Sequence, residues 1–180
     1  MSGPEAKIHY CHPNSLLIKK SGIHGAGCYT MGPVPEGAYI VQYTGSVISK
    51  EQADELYCER PDTYLFCLGE GDSVIDGDNV AAFINHSCDP NCETDEVDDK
   101  VWVIALRDIA PGEELTYDYN LYDGDDGDEA PCSCGAKECR RTMYGEEEVE
   151  RRAKEKAKAK TANGTPTAAT TETAGQAACD

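Results

Sequence analysis

The chain has 180 residues, 39% of them hydrophobic, which is enough for one globular domain and short of what two need. Its 34 acidic and 16 basic residues give a formal net charge of −18, so the body would repel a phosphate backbone; the charge suits a basic protein or peptide partner, or simply solubility. No apolar run approaches the ~20 residues of a membrane span, and MSGPEAKIHYCHPN lacks a secretory signal's apolar stretch, so a reducing cytoplasm, nucleus or nucleoid is expected.

Residues 1–15 read as an N-terminal extension. From Leu16 the pattern is short and β-like: SLLIKKS, AYIVQYTGSVIS, YLFCLG, SVIDG and VWVIALRDI are apolar, often β-branched runs broken by Gly, Pro and Asp. Among them only KEQADELYCER reads as a helix. In GIHGAG, residues 22–27, Gly25 and Gly27 flank Ala26 and let backbone approach a ligand closely, although a plain tight turn would use the same residues. No helix follows, so this is not the dinucleotide fingerprint. FINHSCDPNCE, residues 83–93, crowds two cysteines, a histidine, two asparagines and a proline into one turn-rich run. GEELTYDY, residues 112–119, places tyrosines at alternate positions, which a plain strand would put on one face. LYDGDDGDEA then forms an acidic loop before PCSCGAKECRR. Residues 146–160 read as a marginal exposed helix and the remainder as a disordered tail without core-forming residues. Residues 146–180 hold seven of the acidic and six of the basic residues, so nearly all the charge imbalance belongs to the body.

In a reducing compartment ten cysteines serve as metal ligands or free thiols more readily than as disulfides. Cys132, Cys134 and Cys139 form a C-x-C-x4-C cluster, one ligand short of a closed tetrahedral zinc site. Cys88, inside the turn-forming run Asn85 to Pro90, is the best fourth donor. Cys92 is a rival, and free or paired thiols are the remaining alternative.

The motifs GIHGAG, YTGSVI, FINHSCDPN, GEELTYDY and CSCGAKEC, in that order, resemble those of SET-domain protein lysine methyltransferases with a post-SET zinc segment. The resemblance runs from about Leu16 to Tyr144. It implies a mostly β fold of small sheets with a short helix, a zinc-bound post-SET segment and a C-terminal pseudoknot, a rare threading among folds. It divides the chain into a SET domain at 16–122, an acidic loop and post-SET zinc segment at 123–145, and a charged helix and tail at 146–180. The implied chemistry is methyl transfer from S-adenosylmethionine to a lysine of a basic protein such as a histone, in the setting of chromatin, by a monomer without membrane or direct nucleic-acid binding. His24, Ala26, Tyr64, Asn85, His86 and Ser133 carry over as cofactor contacts. Tyr119 carries over as the catalytic tyrosine, with Tyr43 across the same pocket. Tyr117 stands at the family's aromatic switch, where a tyrosine limits the product mainly to monomethyl-lysine with some dimethyl, unless Thr94 and its neighbours widen the channel. The zinc ligands carried over are Cys88, Cys132, Cys134 and Cys139. Before Leu16, Cys11 and His12 stand almost alone, so a second zinc cluster is not expected.

Presenting a lysine of pKa ~10.4 as the neutral amine at pH 7 costs roughly 4.6 kcal/mol. A narrow apolar channel lowers that cost by desolvation, so no dedicated base is required, and His86 is not expected to be one. The competing reading is a catalytically silent, zinc-containing acidic module that holds basic proteins. The complete set of Tyr43, Tyr64, Asn85, His86 and Tyr119 favours the enzyme.

Overall fold

A computed structural model describes residues 15–58, 64–68, 71–98, 100–122 and 128–162. In chain order the elements are β1 (Leu16–Lys20), β2 (Ala26–Thr30), β3 (Tyr39–Gln42), β4 (Gly45–Ser49), α1 (Lys50–Tyr57), β5 (Leu65–Cys67), β6 (Ser73–Gly77), a 3-10 turn (Val80–Phe83), β7 (Asn85–His86), β8 (Cys92–Val97), β9 (Lys100–Ala105), β10 (Thr116–Tyr117) and α2 (Glu146–Ala162). The fold is mostly β, as the sequence implies. Its described residues divide into two compact units, one ending at Gly145 and the other beginning at Glu146. No helix among the described residues is long and apolar enough to cross a membrane.

The strands form four small sheets. β1 and β2 make an antiparallel hairpin registered from Leu16↔Thr30 to Lys20↔Ala26. β3, β9 and β8 form one three-stranded sheet, and β4, β6 and β5 another. β7 and β10, distant in sequence, pair in parallel. The run AYIVQYTGSVIS, expected as one stretch, is therefore two strands in different sheets, broken at Tyr43 and Thr44. Gly45 permits the break's tight sequel, because a Cβ there would lie 1.9 Å from the Asp76 carbonyl oxygen. Strands β2, β7 and β8 are new relative to the sequence reading. β2 begins inside GIHGAG, at Ala26, and β8, CETDEV, is too charged to read as a strand yet has its partner β9 along its whole length.

Local chemistry explains the helices. Ser49 caps α1 by accepting from the Gln52 N–H at 3.1 Å while the Gln52 side chain accepts from the Ser49 N–H at 3.1 Å, a reciprocal box worth about 1 kcal/mol. Ala53 and Tyr57 are its buried face. Asn79 caps the 3-10 turn through the Ala81 N–H. α2 begins with three glutamates, favourable at a helix N-terminus, and carries i,i+4 pairs between Glu150 and Lys154 and between Arg151 and Glu155. The core of the first unit is built from Cys28, Ile84, Cys92, Val103, Ile109 and Leu115, all nearly inaccessible to solvent. The acidic stretch 123–127, residues 1–14 and the tail beyond 162 lie outside the described residues.

Candidate active site and metal centre

The parallel pairing of β7 with β10 puts FINHS beside ELTYDY, with Asn85 opposite Thr116 and His86 opposite Tyr117. Backbone continues the match, the Ser87 N–H donating to the Tyr117 carbonyl at 3.1 Å. The buried Asn91 acts as a clip: its amide donates to the Glu114 carbonyl at 2.8 Å and its side-chain oxygen accepts from the Thr116 N–H at 2.9 Å. Nothing in the spacing of FINHSCDPNCE announces this role for its second asparagine.

Aromatic rings line the space beside this junction. Tyr43, 3% exposed, packs on Phe66 with ring centroids 5.2 Å apart and donates its hydroxyl to the Tyr64 carbonyl at 2.8 Å. Tyr117, 8% exposed, stands between Phe66 at 6.4 Å and Tyr119 at 5.0 Å. Although β10 ends at Tyr117, the two tyrosine rings do meet. Tyr119 donates its hydroxyl to the Ile84 carbonyl at 3.0 Å. Tyr64 lies at the margin, 37% exposed, its ring 5.4 Å from Phe83. Burial disfavours a phenolate at all three inner positions: it pushes Tyr119 up to about 12 and raises Tyr43 and Tyr117 as well. These hydroxyls remain protonated donors at neutral pH.

His86 is buried and committed at both nitrogens. Nδ1 accepts the Tyr119 N–H at 3.1 Å, which leaves the proton on Nε2, 3.3 Å from the Cys88 sulfur. Burial lowers its pKa, against the pull of Asp118. Arg140, next to Cys139 in sequence, holds Asp118 bidentately at 2.7 and 2.8 Å. This chain of side chains connects the cysteine segment to the end of β10, and neither Asp118 nor Arg140 was singled out by sequence reasoning, because a charged residue between two motif residues carries no signal of its partner.

The GIHGAG loop is tied to the same junction by Asn85, whose amide donates to the His24 carbonyl at 3.2 Å and the Ala26 carbonyl at 3.1 Å. His24 and Gly25 are exposed, and Gly25 adopts φ +45°, with open space where a Cβ would stand. Ser133 is exposed beside the cysteine cluster. The structure thus brings His24, Ala26 and Asn85 together, and His86 with Tyr119, while Ser133 has no hydrogen bond to them among the described residues.

Four sulfurs, of Cys88, Cys132, Cys134 and Cys139, lie within 4.8 Å of one another. Cys88 stands 3.7 Å from Cys132 and 3.9 Å from Cys139, and Cys132 is 3.7 Å from Cys139. Four thiolates held tetrahedrally at the zinc–sulfur distance would be about 3.8 Å apart, so this donor set fits a structural zinc ion. Backbone N–H groups of Cys134 and Arg141 point at the Cys132 and Cys139 sulfurs. The rival Cys92 is sealed in the core and donates to the Asn91 side chain at 3.4 Å.

A cavity of about 110 Å³ opens between the sheets, lined by Phe66, Cys67 and Leu68 on one side and Thr94, Asp95, Glu96 and Val101 on the other. Through Phe66 it adjoins the tyrosine wall.

Small sheets clamped by a parallel strand crossing, a tyrosine-walled space and a four-thiol cluster at its edge define a ligand-binding domain of the SET type. The SET domain family model matches residues 25–120, and the chain belongs to that family. It is 38% identical over 141 residues to the Drosophila melanogaster protein histone-lysine N-methyltransferase trr, an alignment covering 72% of this chain and 6% of that protein. Against the Mycosarcoma maydis protein named histone-lysine N-methyltransferase, H3 lysine-4 specific, it is 39% identical over 141 residues, covering 71% and 10%. Against histone-lysine N-methyltransferase ATX2 of Arabidopsis thaliana it is 35% identical over 151 residues, covering 77% and 14%. The chain therefore spans only a small part of the length of these relatives.

Proposed function

We propose that this chain transfers methyl groups from S-adenosylmethionine to a lysine side chain of a basic, histone-like protein, making mainly monomethyl-lysine with some dimethyl. The observation that carries the reading is the meeting of Tyr43, Tyr117 and Tyr119 with the Asn85–His86 strand and the loop that Asn85 holds. When bound, S-adenosylmethionine supplies a methyl group on a sulfonium that leaves as a neutral thioether. Asn85, His86 and the His24–Ala26 backbone hold it, with Tyr64 and Ser133 at the margins. The aromatic wall strips water from the incoming amine, which favours its neutral form after its proton has passed to solvent. Tyr119 and Tyr43, their hydroxyls fixed on backbone carbonyls, keep the amine nitrogen in line for displacement; alignment of this kind supplies much of the acceleration. His86 takes no part as a base, since its Nδ1 is already occupied.

Cys88, Cys132, Cys134 and Cys139 hold one structural zinc ion that fixes the segment carrying Ser133 and Arg140. The acidic side of the cavity, Asp95 and Glu96 across from the apolar Phe66 and Leu68, suits the aliphatic stem and cationic head of a basic substrate residue. The names of the relatives support histones as the substrate class.

The test incubates the purified chain with labelled S-adenosylmethionine and a panel of core histones and other basic proteins, then maps modified residues by mass spectrometry. Label on lysine is the expected result. Tight capture of basic proteins without cofactor binding or label would replace this reading with the silent acidic module.

A further inference from the structure

Glu114 lies in the segment leading into β10, and its carboxylate receives three side-chain donors from three parts of the chain. Oε1 accepts from the Ser21 hydroxyl at 2.7 Å and from the Asn85 amide at 2.8 Å, and Oε2 accepts from the Tyr29 hydroxyl at 2.6 Å. Ser21 in turn accepts the Ile23 N–H at 2.8 Å, and the Ser21 N–H closes the loop on the Gly25 carbonyl at 3.0 Å. The carboxylate lies directly over Gly27, where a Cβ would be 2.2 Å from Oε1. Backbone fixes its place from below, through a bridge between Tyr29 and Glu114 and the Leu115 N–H donating to the Cys28 carbonyl at 2.8 Å.

The Asn85 amide has two hydrogens and three acceptors: the His24 carbonyl, the Ala26 carbonyl and Glu114. The contact to Glu114 is the shortest and the only one to a carboxylate. Each side chain hydrogen-bonded to Glu114 among the described residues donates to it, so the position calls for a hydrogen-bond acceptor. We propose that Glu114 is a positioning residue for cofactor binding: its carboxylate fixes the rotamer of Asn85 and the start and end of the 21–27 loop, so that the loop backbone and Asn85 are in place before the cofactor arrives. The proposal rests on the reading that this site binds S-adenosylmethionine. Glu114 need not touch the cofactor. Without it the loop samples other arrangements, and apparent affinity falls with the fraction that remains competent.

Calorimetric titration of the zinc-loaded protein with S-adenosylmethionine and, separately, with its demethylated thioether product tests this. Glu114→Ala is expected to weaken both ligands by about tenfold or more, as loss of a charge-assisted hydrogen-bond hub implies, with zinc content and the KM for peptide unchanged. Glu114→Gln keeps one oxygen for Ser21 and Asn85 and can donate to the Tyr29 oxygen, so it should restore most of the affinity. Wild-type affinity in Glu114→Ala overturns the proposal, as does a loss confined to the cationic ligand, which would indicate a direct charge effect instead. Should Glu114→Ala fail to fold, Tyr29→Phe decides: a several-fold loss for both ligands supports the proposal, and no change overturns it. If the wild type itself binds neither ligand, the functional reading fails, and this inference with it.

Discussion

Replacing Tyr119 by phenylalanine removes one oxygen, and the structure sets separate sizes for what that should do to stability and to rate. The hydroxyl donates to the Ile84 carbonyl at 3.0 Å, so its loss leaves one buried acceptor unmet. That costs about 1 kcal/mol, a melting shift of about 3–5 °C for a domain of this size. The ring's contacts with Tyr117 and His86 remain. If the hydroxyl also orients the amine, turnover should fall by about 10²-fold, equivalent to roughly 2.7 kcal/mol, while S-adenosylmethionine affinity stays near the wild-type value. The stability change is too small to explain such a loss. The pH dependence tests the proton assignment. Burial holds the Tyr119 pKa up at about 12, so the hydroxyl stays protonated at working pH and the proton is assigned to solvent rather than to tyrosinate. The rate should therefore rise with pH as the substrate amine deprotonates, with the same slope in wild type and variant. Single-turnover methylation of a histone peptide between pH 7 and 9.5, beside calorimetric cofactor binding, reads all of this. Wild-type turnover in Tyr119→Phe, or an alkaline limb present only in the wild type, would refute the reasoning.

Two further outcomes are expected. Cys88→Ser should lower zinc content below one ion per chain, whereas Cys92→Ser should keep the metal and show only a modest stability loss, since Cys92 is sealed in the core; metal analysis of protein purified without chelator checks both. Tyr117→Phe should shift product from monomethyl toward di- and trimethyl-lysine without abolishing activity, because it removes an oxygen from the wall between Phe66 and Tyr119; mass spectrometry under multiple turnover would show an unchanged product ratio if the idea is wrong.

Much of this protein was legible before folding. The β-branched runs mark six of the strands and KEQADELYCER marks α1, because apolar periodicity and capping are local properties. The cysteine arithmetic also needed no coordinates: three thiols in eight residues lack a fourth, and the turn-rich run at 85–90 offers one. The motifs and their order carried the SET resemblance, which the family match at 25–120 bears out. Tertiary structure decided what depends on partners distant in the chain. β8 reads as a charged loop and becomes a strand only because β9 hydrogen-bonds it from end to end. Sequence favours Cys88 over its rival Cys92, but the choice is decided only when burial consigns Cys92 to the core and proximity joins Cys88 to the cluster. Asn91, Glu114, Asp118 and Arg140 are ordinary polar residues in sequence. Each acquires its role from donors and acceptors that packing of distant segments brings within hydrogen-bond distance, and a one-dimensional pattern holds no record of that distance.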